Sequence, residues 1–274
     1  SRMIELKGVV KRYPGSKVNA VDNVSLQIHN GEFFGLLGPN GAGKSTIIGM
    51  LSTLLLLTDG EILIENIPFR RENMDLKRKL SVVTQHYSLR NDMTVWQIME
   101  LQARLYGLPK KEWVPRSKEL LTFCGLDSEC KKIVRRLSGG MKRKLMLARA
   151  LLTDPSYLIL DEPTAQLDPI ARENFFNTLK KLNRDLSITI IITEHTLEDI
   201  LPISDQLLVL ENEKIIYNDS PEKIYKIAET NSYLFKAMPS AVRISAPFLK
   251  PNEPCPLTTK GAIQYIAKNL NVKP

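Results

Sequence analysis

Short apolar runs and helical patterns alternate along most of the chain. Three stretches alternate or cluster their apolar residues as antiparallel strands do, at 4–11, 24–28 and 61–64. Five further stretches rich in apolar residues are typical of the strands of a central, mainly parallel sheet, at 33–37, 80–84, 157–160, 187–193 and 206–210. Helical patterns separate the runs at 44–53, 140–152 and 169–184, and Pro169 suits a first helical turn. The pattern predicts an α/β fold.

The segment 86–136 has a different pattern from the rest. Apolar residues recur there at helical spacing from Val95 to Tyr106, and again at 120–123, without a strand pattern between them. Within it, Trp96, Met99, Leu105 and Tyr106 are candidates for contact with another protein, although the core of the segment itself is an equal alternative. The pattern predicts an inserted helical subdomain.

The tail from 229 to 274 is broken by prolines into short pieces, and a last helix is predicted at about 259–270. Several apolar residues in the tail can dock onto the rest of the chain. A packing appendage, a regulatory segment and a dimerisation segment all remain open for it.

Residues 38–46 carry a complete phosphate-binding loop between a predicted strand and a predicted helix. The loop consists of Gly38, Pro39, Asn40, Gly41, Ala42, Gly43, Lys44, Ser45 and Thr46. Its glycines let backbone N–H groups surround a phosphate chain at the positive end of the following helix. Lys44 can reach the β- and γ-phosphates, and the Ser45 hydroxyl can ligate Mg²⁺. A chance glycine-rich turn is the alternative, but the strand–loop–helix order disfavours it, so we predict that the chain binds a nucleoside triphosphate.

A pair of acidic residues follows the apolar run 157–160. Asp161 and Glu162 therefore lie at the carboxyl end of a predicted parallel strand, which is the edge where such sheets bind ligands. An Asp at that place can hold Mg²⁺ beside the phosphate-binding loop. The adjacent Glu162 can then activate the attacking water as a general base. An acidic turn without function is the alternative, which the loop at 38–46 disfavours.

The composition of the 274 residues is that of an ordinary globular protein, with 43% hydrophobic and 25% charged residues. No apolar run is long enough for a membrane span, and the polar residues before Met3 disfavour a secretory leader. Three cysteines without metal-binding spacing favour a reducing compartment. The net charge of +8 comes from short basic clusters without interleaved aromatic residues. Solvated helix faces explain it best and a membrane-apposed surface next, and we expect no nucleic-acid partner.

A second glycine-rich helix start lies between the two catalytic elements. Leu137, Ser138, Gly139, Gly140 and Met141 precede a helical run, with Ser138 placed as an N-cap. Because the chain already has one phosphate-binding loop, this segment suggests a second phosphate contact. It closely resembles the LSGGQ signature of the ATP-binding-cassette (ABC) ATPases, which sandwich each nucleotide between the loop of one subunit and the signature of its partner.

Further positions resemble that family residue by residue. Tyr13 resembles the aromatic residue that stacks on adenine. Gln85 resembles the Q-loop glutamine that senses Mg²⁺, and Asp168, which ends the segment 165–168, resembles the D-loop aspartate at the dimer interface. His195 resembles the switch histidine that hydrogen-bonds the γ-phosphate.

Two positions in these motifs differ from the family pattern. Met141 stands where the signature has glutamine, and Gln166 stands where the D-loop usually has a small residue. Neither change removes a catalytic group, because Lys44, Asp161 and Glu162 are all present in addition to the switch histidine. The sequence therefore predicts a competent ATPase.

The resemblance implies a fold and a set of cofactors. The fold is that of a P-loop NTPase of the ABC type, with a mainly parallel central sheet, an antiparallel β subdomain and the helical insertion. The ATPase domain spans 3–228, its helical subdomain spans 86–136, and the tail spans 229–274. The implied cofactors are ATP and Mg²⁺.

The resemblance also implies partners and a location. The partners are a separate membrane-spanning transporter subunit and a second ABC ATPase subunit, in a homodimer or a heterodimer, at the cytoplasmic face of the membrane. The segment 91–95 is similar to exporters, whereas 193–201 and the tail are similar to energy-coupling-factor importers. The helical subdomain slightly favours export, and import is the alternative. A soluble ABC ATPase that acts on ribosomes or DNA is less favoured, because a second cassette and long coiled coils are missing.

Overall fold

The computed structural model describes residues 3–39, 41–52, 55–194, 197–228 and 238–269. Its strands, in chain order, are β1 (Met3–Lys11), β2 (Val21–His29), β3 (Phe33–Leu37), β4 (Asp59–Ile64), β5 (Ile67–Pro68), β6 (Leu80–Val83), β7 (Tyr157–Asp161), β8 (Thr189–Thr193), β9 (Gln206–Glu211) and β10 (Lys214–Asp219). One sheet has the order β2-β1-β4-β5, and its pairs are antiparallel. The other has the order β10-β9-β3-β8-β7-β6 and is parallel except for the pair β10-β9.

The helices surround these sheets. They are α1 (Lys44–Leu51), α2 (Met74–Lys77), α3 (Val95–Leu105), α4 (Lys110–Phe123), α5 (Gly139–Leu151), α6 (Pro169–Leu186), α7 (Leu197–Ile200), α8 (Tyr225–Ala228), α9 (Ser240–Ser245) and α10 (Thr259–Asn269). This arrangement confirms the predicted fold class of a mainly parallel sheet combined with an antiparallel sheet and helices.

Strand β3 is buried on both faces at the centre of the larger sheet, which explains its continuous apolar sequence. Phe34 and Leu36 pack into the apolar cluster that includes β1, β2 and α1. Phe33 and Leu37 pack on the opposite side, in the cluster that includes α3, α5 and α6. Because β3, β6, β7 and β8 are parallel neighbours, the loops after them lie along one edge of the sheet.

The segment between β6 and α5 is helical, as the pattern predicts. Helix α3 begins with a capping box, in which the Thr94 side chain accepts from the Gln97 backbone and the Gln97 side chain accepts from the Thr94 backbone. Trp96 of α3 packs on Trp113 of α4, with ring centroids 5.4 Å apart. Met99 is fully buried in the core, so the hypothesis of a partner contact is wrong for Met99, whereas Leu105 and Tyr106 are exposed.

Two differences from the predicted elements have a clear cause in the backbone. The predicted strand 187–193 begins at Thr189, because Ser187 adopts a left-handed conformation (φ 55°) that ends α6. The hairpin strand β10 was not predicted, and it follows a turn in which Asn212 and Glu213 have φ of 49° and 65°.

The described part of the tail packs onto the body. Met238, Val242 and Cys255 are buried in the same apolar cluster as Val209 of β9 and Ile224. The backbone N–H of Cys255 donates to Glu222 O at 3.3 Å. Among the described residues, no helix has both the length and the apolar content that a membrane crossing needs.

Candidate nucleotide-binding site

The phosphate-binding loop connects β3 to α1, and its glycines occupy positions that larger residues cannot. A Cβ atom at Gly38 would lie 2.5 Å from Leu210 O. Gly43, at the N-cap of α1, has φ 107° and lies against Ala20 O. These positions explain why glycine is needed where the loop turns into the helix. Asn40 lies outside the described residues, so its predicted role stays a prediction.

The Lys44 side chain is buried beneath the loop. Its Nζ has no hydrogen-bond partner among the described residues. Burial lowers the pKa of Lys44, while the carboxylates of Glu162, Asp161 and Glu194 act in the opposite direction. A buried ammonium group without an acceptor is costly, and an anion that reaches it removes that cost. The orphaned Nζ therefore fits a phosphate chain.

A cavity of ≈ 580 Å³ opens over the loop. It is lined by Tyr13, Ala20, Gly41, Gly43, Lys44, Ser45, Thr46, Gln85 and Glu162. The structure thus brings eight of the predicted site residues together, although they come from positions far apart in the chain. Gly38, Pro39 and Ala42 belong to the same loop but do not line the cavity.

Oxygen donors suited to Mg²⁺ lie at or beside this cavity, since Ser45 and Gln85 line it and Asp161 immediately precedes Glu162, which lines it. Ser45 is exposed at the start of α1, and Gln85 follows β6. Asp161 ends β7, and its Oδ1 accepts a hydrogen bond from Thr193 Oγ1 at 2.8 Å. Hydroxyl, amide and carboxylate oxygens are the ligands that Mg²⁺ prefers, so these three residues fit the ion.

Glu162 is held in an unusual backbone conformation at the wall of the cavity. Its φ is 46°, and its N–H lies 3.1 Å from both Thr193 O and Thr193 Oγ1. Such left-handed conformations cost free energy and persist where the surroundings impose them. Thr193, at the end of the neighbouring strand β8, therefore fixes the turn that follows Asp161 and places Glu162 at the cavity.

Tyr13 lies beside the loop on the chain that follows β1. Its hydroxyl is 3.2 Å from Thr46 Oγ1, and its side chain is 40% exposed. The Lys11 ammonium lies 5.3 Å from the centroid of its ring. The ring borders the cavity and has exposed surface for contact with a base.

The signature residues lie apart from this cavity. Ser138 caps α5, where its Oγ accepts from Met141 N at 3.2 Å. Gly139 and Gly140 form the first turn of the helix, and Asp168 caps α6 through Ala171 N. None of the predicted signature or D-loop residues lines the cavity in the described structure. The resemblance implies that another chain supplies these residues, and that role stays a prediction. His195 lies outside the described residues.

Several residues with structural roles at the site were not predicted. Glu194 is buried, and its Oε1 accepts from Thr164 Oγ1 at 2.8 Å and Thr164 N at 3.3 Å. Burial raises its pKa to about 7, and the carboxylates of Asp199 and Glu162 add to the rise. Arg143 is also fully buried. Neither residue carries a motif or spacing signal in the sequence, so its burial and its partners in the fold are what identify it.

The fold and the site together define a nucleotide-binding P-loop ATPase. The sequence profile of the family described as "ABC transporter" matches residues 21–165, so the chain belongs to that family and is one of its ATP-binding subunits. The relative "Methionine import ATP-binding protein MetN" of Carboxydothermus hydrogenoformans is 35% identical over 219 residues, which cover 78% of this chain. The chain spans 65% of the length of that relative.

Solved structures agree with this assignment. The structure of cbiO1 from Clostridium perfringens, described as part of the ABC transporter complex cbiONQ, has a TM-score of 0.78 and 27% identity. That match covers 90% of this chain and 98% of the other. A dimeric, post-hydrolysis structure of the ATP-binding cassette MJ0796, bound to ADP and Pi, has a TM-score of 0.68 and 27% identity. It covers 80% of this chain and 98% of the other.

Proposed function

We propose that this chain hydrolyses ATP to power the import of a solute by a separate membrane-spanning protein. The observation that carries the proposal is the Lys44 ammonium, buried without a partner in the described structure, in a cavity that Glu162 also lines. This arrangement combines a phosphate anchor with a candidate general base. ATP is the substrate that fits both.

Each residue of the proposed site has a distinct role in binding or hydrolysing ATP. Lys44 and the backbone of the loop bind the phosphates, and Tyr13 stacks on the base. Ser45, Gln85 and Asp161 would hold Mg²⁺, which supplies charge neutralisation on the phosphates when bound. Glu162 accepts a proton from the attacking water. His195 is proposed to hydrogen-bond the γ-phosphate.

The direction of transport is proposed from the relatives. The name of the Carboxydothermus hydrogenoformans protein describes it as a methionine import protein, which supports import over the export that the helical subdomain slightly favours. Methionine is accordingly the first solute to test.

A groove on the surface suits a helix of the membrane partner. It has a volume of ≈ 390 Å³ and lies between β6, the end of α3 and α5, where Phe69, Gln102, Tyr106 and Arg149 line it. Tyr106 is 51% exposed and the neighbouring Leu105 is 71% exposed. Exposed apolar side chains beside a groove are typical of a contact surface. We propose that a cytoplasmic helix of the membrane-spanning subunit binds here.

The assembly is proposed to contain two ATPase subunits. Since Ser138, Gly139, Gly140 and Asp168 lie outside the cavity, two chains facing each other can complete two sites, and the dimeric MJ0796 structure supports this arrangement. A homodimer and a heterodimer both satisfy it. We further propose that the chain is located at the cytoplasmic face of the membrane and has no nucleic-acid partner. We also propose that it consists of an ATPase domain at 3–228, which contains the helical subdomain at 86–136, and a tail at 229–274.

Co-purification from membranes tests the transport part of the proposal. The tagged chain is expected to retain a multi-span membrane protein, identified by mass spectrometry. Tyr106→Asp should abolish that retention because it places a charge in the groove, while Leu186→Asp should not, because exposed Leu186 does not line the groove. Retention of a ribosome or DNA instead of a membrane protein would contradict the proposal.

A further inference from the structure

A buried arginine fastens helix α5 to the segment that follows β6. Arg143 is completely buried, and its guanidinium donates to Thr84 O and to Gln85 O, each at 2.8 Å. Because a guanidinium is a planar fork of donors, it fixes the two carbonyls relative to the helix, which a flexible ammonium group does not. Burying a cation is costly, so two strong hydrogen bonds at this place indicate a positional role.

Tyr87 completes the connection from the same segment. The Arg143 guanidinium carbon lies 4.4 Å from the centroid of the Tyr87 ring, which is cation–π distance. The Tyr87 hydroxyl donates to Gly139 O at 3.3 Å, at the first residue of α5. A Cβ atom at Gly139 would lie 3.3 Å from that hydroxyl and 3.6 Å from Leu167 Cδ2, so the helix start is closely packed. A series of contacts thus runs from Gln85 through Arg143 and Tyr87 to Gly139.

In the proposed dimer, the two ends of this connection lie near two different nucleotides. Gln85 lines the cavity over the chain's own phosphate-binding loop. Ser138, next to Gly139, lies outside that cavity and would face the nucleotide of the partner. Because Arg143 of α5 holds the Gln85 carbonyl, this geometry provides a physical route from the cavity to the helix that Ser138 caps.

We infer that Arg143 and Tyr87 are positioning residues that transmit occupancy of the chain's own cavity to its signature segment, residues 137–141. The inference rests on the proposed function, since it requires that the cavity binds ATP. It assigns to these two side chains a coupling role between sites, carried by one buried cation and one hydroxyl.

Hydrogen–deuterium exchange of the purified chain tests this inference, with and without Mg-ATP. In the unaltered chain, ATP should slow exchange in the phosphate-binding loop and also in the peptide that contains the signature segment. Arg143→Lys keeps the charge but loses the fork, and Tyr87→Phe keeps the ring but loses the hydroxyl bond to Gly139 O. The ATP affinity of each variant should stay within about twofold of that of the unaltered chain. With ATP bound, the signature segment of each variant should exchange about tenfold faster than that of the unaltered chain with ATP.

A matched control comes from the same helix. Lys144→Gln also removes a cation from α5, but Lys144 donates to Asn174 of α6 and not to the segment after β6. It should respond to ATP like the unaltered chain. An ATP effect at the signature that persists in both Arg143→Lys and Tyr87→Phe would overturn the inference, as would its absence from the unaltered chain. Failure of ATP to protect the phosphate-binding loop would instead overturn the proposed function, and the inference with it.

Discussion

At the scale of single residues, the burial and the charged neighbours of Lys44 make its surroundings suitable for binding an anion. Its ammonium group is buried, with no partner among the described residues, while the carboxylates of Asp161, Glu162 and Glu194 raise its pKa against the effect of burial. The carboxylates favour the charged form of the lysine, although the net pKa stays below its ordinary value, and they also repel a phosphate chain. A divalent cation on Asp161 removes part of that repulsion, which is a physical reason to expect Mg²⁺ and nucleotide to bind together.

Tyr13 provides a test at the level of one side chain. If its ring stacks on the base, Tyr13→Ala should weaken ATP binding by about 1–3 kcal/mol, on the scale of base–aromatic stacking. Tyr13→Phe keeps the ring and removes only the contact with Thr46 Oγ1, so its affinity should stay close to that of the unaltered chain. Isothermal titration calorimetry measures both. Equal affinities in all three proteins would assign Tyr13 a purely structural role.

Glu194 predicts a pH dependence of stability. Because burial raises its pKa from 4.5 to about 7, the folded chain keeps a proton that the unfolded chain releases, so this residue lowers the stability as pH rises from about 4.5 to 7. The penalty is complete above pH 7 and has an upper bound on the order of 3 kcal/mol. Glu194→Gln removes the charge while its amide oxygen can still accept from Thr164.

Thermal unfolding at two pH values measures this effect. Relative to the unaltered chain, Glu194→Gln should gain stability between pH 5 and pH 8. Glu198→Gln, at an exposed carboxylate of α7, should show no such gain. A difference between Glu194→Gln and the unaltered chain that is the same at both pH values would show that Glu194 is not protonated in the fold near neutrality.

Much of the site at residue level follows from the sequence, because motifs fix residue types at short spacing. Such motifs predict Lys44, Ser45 and Glu162, and the structure places all three in the lining of one cavity. Arg143 and Glu194 were not predicted, since their importance depends on burial and on partners distant in the chain. A charged residue outside a motif carries no spacing signal, and Arg143 lies between two other basic residues, so only the folded structure reveals what it contacts.

At the level of elements, buried strands were predicted best. Strand β3 has the predicted bounds because both of its faces are apolar. Strand β10 is half exposed, and its turn uses Asn212 and Glu213 in left-handed conformations without a glycine, so the usual hairpin signal is missing. The start of β8 was misplaced for a similar reason, since the left-handed residue that ends α6 is Ser187.

The proposed position of the α5 N-terminus at the dimer interface can be tested by mutation. Glu162→Gln should shift from monomer to dimer with ATP and Mg²⁺, because it retains ATP binding without the hydrolysis that reopens the dimer. Adding Ser138→Arg should prevent the shift, since it places bulk and charge against the partner's nucleotide. Ser128→Arg, at another exposed serine, should leave the dimer intact. Light scattering distinguishes these outcomes.

If Glu162→Gln stays monomeric at saturating ATP, even with the cytoplasmic loops of its membrane partner supplied, the homodimer is contradicted. A heterodimer with a second, related ATPase is then the better description.

At the scale of the whole molecule, one apolar cluster connects the nucleotide-binding edge to the helices near the surface proposed for the membrane partner. Leu37, before the phosphate-binding loop, and Met99 and Leu145 of the helical region share one cluster. Met238 and Val242 of the tail belong to that cluster too. The tail is therefore packed on the body in the described structure, and its role in regulation or dimerisation stays an open hypothesis.

The central claim is that this chain hydrolyses ATP with Glu162 as the base, and phosphate release from Mg-ATP by the purified protein tests it most directly. We predict hydrolysis by the unaltered chain, retained ATP binding with at least about 100-fold slower turnover in Glu162→Gln, and weakened ATP binding in Lys44→Ala. Unchanged turnover in Glu162→Gln, or no ATP binding by the unaltered chain, would contradict the account.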